Sequence, residues 1–301
     1  MEPTTIALAA ITLLAATVNG ALGYGFSSIT VPVALFFLTN RVLNPALVPI
    51  EVVLNAYVLW VNRGSIQHVW RRTLPIVVAL LPGVVVGTML VSQVNSDWLK
   101  FITYVTLLPL ILLQAAGFRR PIRSERSAGL VFGGALGVLY SVTTISGPPL
   151  AVALSNQGLA KQEFRAALGI IRLAESSMTA VAYAYAGLYS LSSMRLIPVI
   201  LPSLAIGVPI GAQLIRHIRP ETFRRICMSF DAWIVGFGLS GVLRQLHLVE
   251  SNAAYLLFVA VALLDIWLLY RFFSAPHRAA DAASASTPAE ATNQKPATEH
   301  P

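Results

Sequence analysis

The sequence predicts an all-α integral membrane protein: a polytopic helical bundle of two inverted repeats, each opening with a broken or re-entrant helical hairpin. Three observations carry this reading. Of 301 residues, 56% are hydrophobic and only 11% charged, with a mean hydropathy of +0.70, too few polar groups to cover a water-soluble surface. Apolar runs long enough to cross roughly 30 Å of hydrocarbon alternate with short charged loops. An apolar stretch interrupted by Gly, Ser, Thr and Pro also occurs twice, once near the start of each half.

The first interrupted stretch, Ile6–Leu38, contains Asn19-Gly20-Ala21-Leu22-Gly23-Tyr24-Gly25-Phe26-Ser27-Ser28-Ile29-Thr30-Val31-Pro32. Residues 1–5 hold no basic residue, so the run Ile6–Leu22 reads as a retained segment rather than a signal peptide. Single spans over Pro45–Val61, Leu74–Val91 and Leu99–Ala116 complete a first repeat, residues 1–126. The second interrupted stretch, Ala128–Ser155, carries Thr143-Thr144-Ile145-Ser146-Gly147-Pro148-Pro149 and opens a second repeat, residues 127–248. Spans follow at Ala167–Gly187, Leu196–Ile215 and Phe223–Leu243. Residues 249–273 supply an additional transmembrane helix, Ala253–Phe273. Residues 274–301, rich in Ala, Ser, Thr, Pro and Glu, read as a disordered cytoplasmic tail. Each interrupted stretch is too long for one crossing and forms either a re-entrant hairpin or two short spans.

The net charge of +8 is distributed in a way that orients the bundle. Arginines cluster at Arg63, Arg71 and Arg72, at Arg119–Arg126, at Arg216–Arg225, and at Arg271 and Arg278. The positive-inside rule makes these loops cytoplasmic. The two interrupted stretches then open and close on opposite faces, which inverts one half relative to the other and puts the N-terminus on the periplasmic side of a bacterial inner membrane. Scattered among membrane loops, the basic residues do not form a nucleic-acid surface. Similarity between the halves extends further: Leu80-Leu81-Pro82-Gly83 resembles Ile200-Leu201-Pro202-Ser203, and Glu51 matches Glu175 in the span after each break.

These residues also carry a family resemblance. Gly-x-x-Gly-x-Gly followed by Pro in the first half, Thr143-Thr144-Ile145-Ser146-Gly147-Pro148-Pro149-Leu150 in the second, and then Glu163-Phe164-Arg165-Ala166-Ala167-Leu168 resemble the sulfite exporter TauE/SafE family of membrane permeases. The resemblance implies transport of small anions such as sulfite, sulfonates or other organosulfur compounds.

The chemistry of the breaks agrees with an anion. Where a helix restarts, its first N–H groups are unpaired and carry the positive end of the helix dipole, a natural anion site. Gly23 and Gly25 open the first gap, Gly147 closes the second, and Ser27, Ser28, Thr30, Thr143, Thr144 and Ser146 add hydroxyl donors. The alternative is that these small residues only permit close helix packing. Ionisable groups inside spans are functional candidates. Glu51 and Glu175 are symmetrically placed, and Arg172 precedes Glu175 by three residues. Either Arg172 and Glu175 neutralise each other on one helix face, or a protonatable Glu couples anion movement to protons. Asp231 and Asp265, without counterparts in the other half, read as structural.

No catalytic constellation competes with transport. His68, His217, His247, His277 and His300 are placed in loops or the tail, the lone Cys227 excludes an internal disulfide, and no nucleotide-binding loop occurs. No cofactor or metal is expected. The partners are a small anion, protons and the lipid bilayer, and an anion channel shares the same features as a carrier.

Overall fold

The computed structural model describes residues 3–116, 125–155, 161–218 and 220–274. The tail 275–301, the arginines at 119, 120 and 123, and Arg219 lie outside the described residues. In chain order the helices are α1 Pro3–Leu22, α2 Phe26–Ala34, α3 Asn40–Val61, α4 Ile66–Gln93, α5 Ser96–Ala115, α6 Glu125–Thr143, α7 Gly147–Ser155, α8 Lys161–Tyr185, α9 Leu191–Met194, α10 Ile197–Leu214, α11 Pro220–Gln245 and α12 Tyr255–Ser274. Among the described residues, seven segments are long and apolar enough to cross a membrane: Pro3–Leu22, Asn40–Val61, Arg63–Gln93, Ser96–Ala115, Leu191–Leu214, Glu221–Gln245 and Asn252–Ser274. The chain is therefore an all-α, multi-pass membrane protein.

The interrupted stretches are neither equal half-spans nor simple loops. Each is a long helix, a three-residue break and a helix of nine residues, α1 with α2 and α6 with α7. At 20 residues α1 spans about 30 Å and α2 about 13 Å. Thr4, Thr5 and Leu8 share a cavity with Phe37, Leu38 and Val42, so α1 begins at the same end of the molecule where α2 hands over to α3. The first stretch thus enters and leaves at one end.

Helix direction follows from the closest backbone approaches. Gly207 and Gly211 of α10 abut Leu13 and Thr17 of α1, and Gly20 of α1 abuts Val208, so α1 and α10 run parallel. Gly133 and Gly137 of α6 meet Ile76 and Leu80 of α4, also in parallel. Because α3 and α4 are joined by a short turn and run oppositely, α6 enters from the end opposite to α1. A Cβ on Gly83, Gly133, Gly137, Gly207 or Gly211 would overlap the facing helix, which is why small residues line these seams. Close packing is thus one role of the small residues on these helix faces.

Several sequence-based boundaries move, among them the spans expected from Pro45 and Phe223, which start at Asn40 and Pro220. The span expected at Leu74–Val91 extends back to Ile66, placing His68 in the exposed first turn of α4 rather than in a loop. The span expected from Leu196 is preceded by the short turn α9. The span expected from Ala167 starts at Lys161, and α8 is not among the seven apolar crossings. Its five charged residues, Lys161, Glu163, Arg165, Arg172 and Glu175, lower its hydropathy, and the last two are shielded in the bundle interior.

Candidate functional site

The second break closes its backbone with borrowed side chains. A helix end leaves its last four carbonyls unpaired, and at membrane depth each must find a donor. At the end of α6, the Tyr140 carbonyl accepts from Thr144 N–H at 2.6 Å, and the Ser141 carbonyl from the Tyr183 hydroxyl. The Val142 carbonyl accepts from the amides of Asn44 (2.7 Å) and Asn40 (3.3 Å). The Thr143 carbonyl accepts from the Thr144 hydroxyl at 2.7 Å. Thr143 Oγ1 donates to Leu139 O at 2.7 Å and accepts from Ile145 N–H at 3.0 Å. Thr143 and Thr144 therefore shape the break itself. The first break relies instead on glycine: Gly23 and Gly25 adopt φ of 82° and 108°, conformations disfavoured for other residues.

Behind the breaks lies a buried charged cluster. Ser27, on the first turn of α2, donates to Oε1 of Glu51 at the middle of α3. Tyr140 donates to Oε2 of the same carboxylate at 2.6 Å, and Arg172 of α8 pairs with its Oε1 at 3.3 Å. Ser146, at the start of α7, donates to Oε1 of Glu175 on α8. The Cβ position of Gly147 lies 3.3 Å from the Tyr24 ring, so the two breaks touch. Glu51 and Glu175 are 0% exposed and Arg172 is 3% exposed. Burying an ion costs several kcal/mol unless it is paired and hydrogen-bonded. Glu51 meets that condition with three donors. Glu175 does not, for its Oε2 has no partner, and neither has Nε of Arg172.

One expected pairing changes. Arg172 does not close an ion pair with Glu175 along α8 but reaches across to Glu51 on α3, joining the two halves. The other expected residues divide. Ser27 and Ser146 face the carboxylates. Ser28 donates to Gly25 O at 3.1 Å and turns toward a small cavity shared with Asp231. Thr30 is fully buried with its hydroxyl unpartnered. The donor sets of the two restarts also differ: Pro148 and Pro149 have no N–H, leaving α7 fewer free donors than α2. Asp265, read as structural, forms a buried ion pair with Arg225 at 2.8 Å that ties α12 to α11. Among the described residues, no His, Cys, Asp and Glu cluster has the makeup of a metal site.

Sequence reasoning missed Tyr140, Asn40, Asn44 and Tyr183. Each serves the break or the Glu51 carboxylate from far along the chain, and none has a counterpart at the repeat offset that would have marked it.

A multi-pass helical membrane protein with two interrupted helices meeting over a buried charged cluster belongs among the membrane transporters. Residues 8–238 match the family described as Sulfite exporter TauE/SafE, and the protein belongs to that family. It is also similar to the Probable sulfite/organosulfonate exporter TauE of Cupriavidus necator, with 27% identity over 191 residues that cover 59% of this chain and 70% of that relative. No solved structure matches. Helix α12 lies beyond the matched residues.

Proposed function

We propose that the protein is a secondary carrier for small sulfur oxyanions, sulfite or an organosulfonate, which it binds between the two breaks at Ser27 and Ser146 and couples to protons through Glu175. The name of the Cupriavidus necator relative supports the substrate class. The observation that carries the site is the cluster itself: one hydroxyl from each break rests on one of two buried carboxylates, and the single cation between them is Arg172. With both carboxylates ionised, one positive charge stands against two negative ones, and an entering anion is repelled. A proton on Glu175, the carboxylate without an ion-pair partner, removes that excess and frees Ser146 to donate to an oxyanion. Anion and proton then move together.

The two halves, residues 1–126 and 127–248, act in this reading as inverted repeats around the shared site, with the arginine-bearing ends of the helices in the cytoplasm. Enclosure of the cluster favours a carrier over an anion channel, because every charged member is buried and the cavities at the two ends do not include it.

Proteoliposomes test this with sulfite, organosulfonates and carboxylates, each with and without an imposed pH gradient. Saturable uptake of the sulfur anions, driven uphill by the proton gradient, is expected. Non-saturating flux that never exceeds equilibrium identifies a channel, and gradient-insensitive saturable uptake removes the proton from the mechanism.

A further inference from the structure

Two cavities lie at opposite ends of the molecule, and each holds one arginine that the midplane cluster does not use. The first, about 180 Å³, sits where α3 ends and is lined by Asn19, Gly23, Tyr57, Asn62 and Arg165 among apolar neighbours. The second, about 340 Å³, sits where α1 begins and is lined by Thr4, Thr5, Ser192 and Arg195. Among the described residues, arginine is the only charged residue lining each cavity. Neither arginine belongs to an ion pair among the described residues. Guanidinium stays charged at any physiological pH and offers donors in a planar fork suited to oxyanions. The 180 Å³ cavity also reaches the transport machinery directly: Gly23 belongs to the first break, and Asn19 is 2% exposed with no partner on Oδ1. Arg165 lies in the Phe164-Arg165-Ala166 element, which the midplane site leaves without a role.

We propose that these cavities are anion antechambers, in which Arg165 at one end and Arg195 at the other hold a sulfonate or sulfur oxyanion on its way to or from the breaks. The inference rests on the anion-carrier reading for its purpose, though not for its chemistry. A lone cation in a cleft walled by apolar side chains concentrates anions there and raises their arrival rate. Three arginines then mark three depths: Arg195, Arg172 and Arg165.

The test reads the local charge without requiring transport. In a Cys227→Ser background, which removes the chain's only cysteine, Asn62→Cys reports the first cavity and Thr5→Cys the second. Each is labelled with a methanethiosulfonate carrying a sulfonate and with its trimethylammonium counterpart, and the rates are normalised to a free thiol. At low salt the sulfonate reagent is expected to react about tenfold faster at both positions. R165Q should bring the ratio near one at position 62 and leave it unchanged at position 5, and R195Q should do the reverse. R165K, which keeps the charge, should retain the preference. The retained ratio at the opposite cavity verifies that each variant is folded. No sulfonate preference in the parent protein, or a preference indifferent to its own arginine, overturns the proposal. Failure of the carrier reading shows elsewhere, as absent anion flux in proteoliposomes with the labelling preference intact.

Discussion

Glu51 and Glu175 look equivalent in sequence, yet their surroundings give them different partners. Glu51 is neutralised by Arg172 and also receives Ser27 and Tyr140. Removing its charge with Glu51→Gln strands a buried guanidinium, a change that costs roughly 3–5 kcal/mol. The expected result is low yield and a lowered Tm in detergent, with recovery in the double variant Glu51→Gln, Arg172→Gln. Tyr140→Phe removes one hydrogen bond to an ionised acceptor and should cost only about 1.5–3 kcal/mol. Glu175→Gln strands no cation, because Arg172 keeps Glu51 as its partner. It should fold, exchange bound anion and fail to accumulate it against a gradient. If it accumulates substrate uphill like the parent, Glu175 is not the proton carrier. An unstable Glu175→Gln beside a stable Glu51→Gln would reverse the pairing seen across α3 and α8.

The breaks between elements are built in two ways that respond oppositely to mutation. In the first, Gly25 at φ 108° tolerates no side chain without strain, and Gly25→Ala should lose about 1–2 kcal/mol. In the second, Thr144 holds a left-handed φ of 55° although it is β-branched. Thr144→Gly relieves that strain at the price of one local hydrogen bond, so it should leave stability unchanged or improved. Comparing the two variants in one thermal-unfolding series decides the matter, and equal destabilisation of both would contradict it. The second break also depends on its donors: Asn44 and Asn40 from α3 and Tyr183 from α8 reach the carbonyls of Val142 and Ser141. Both break and carboxylate cluster are thus held by the same pair of helices.

Across the whole molecule, the parallel contacts of α1 with α10 and of α6 with α4 mean that neither half packs alone. Each half supplies the long broken helix that covers a helix of the other. This arrangement predicts a topology in which residues 4–5 and 37–38 are accessible from one side of the membrane, and Asn62 and Arg216 from the other. Single-cysteine labelling in intact cells with an impermeant reagent measures it. Labelling of Thr5 and Asn62 from the same side would remove the opposed entry of the two broken helices. At the edge of the bundle, Asp265→Asn leaves Arg225 buried without its counter-ion and should loosen α12 from α11, read as protease cleavage before Tyr255 in otherwise folded protein.

Composition alone decides the solvent of this chain, because 11% charged residues cannot clothe a water-soluble surface. The paired interruptions around Gly23–Thr30 and Thr143–Gly147 were equally legible, since Gly, Ser, Thr and Pro cluster there within an apolar run in both halves. Ser27, Ser146, Glu51, Glu175 and Arg172 could all be named for the same reason: polar groups are rare and expensive in hydrocarbon. Their partners could not. Spacing along one helix offered Arg172 to Glu175, and only the packing of α3 against α8 brought it to Glu51. Tyr140, Asn40, Asn44 and Tyr183 carry no local pattern, for the task of Tyr140 is set by a carboxylate, and that of the other three by orphan carbonyls, on a different helix. The sequence determines which groups enter the membrane interior, through the cost of burying them. Which of them meet is decided by the tertiary structure, because each buried charge and broken backbone must find its partner across the bundle.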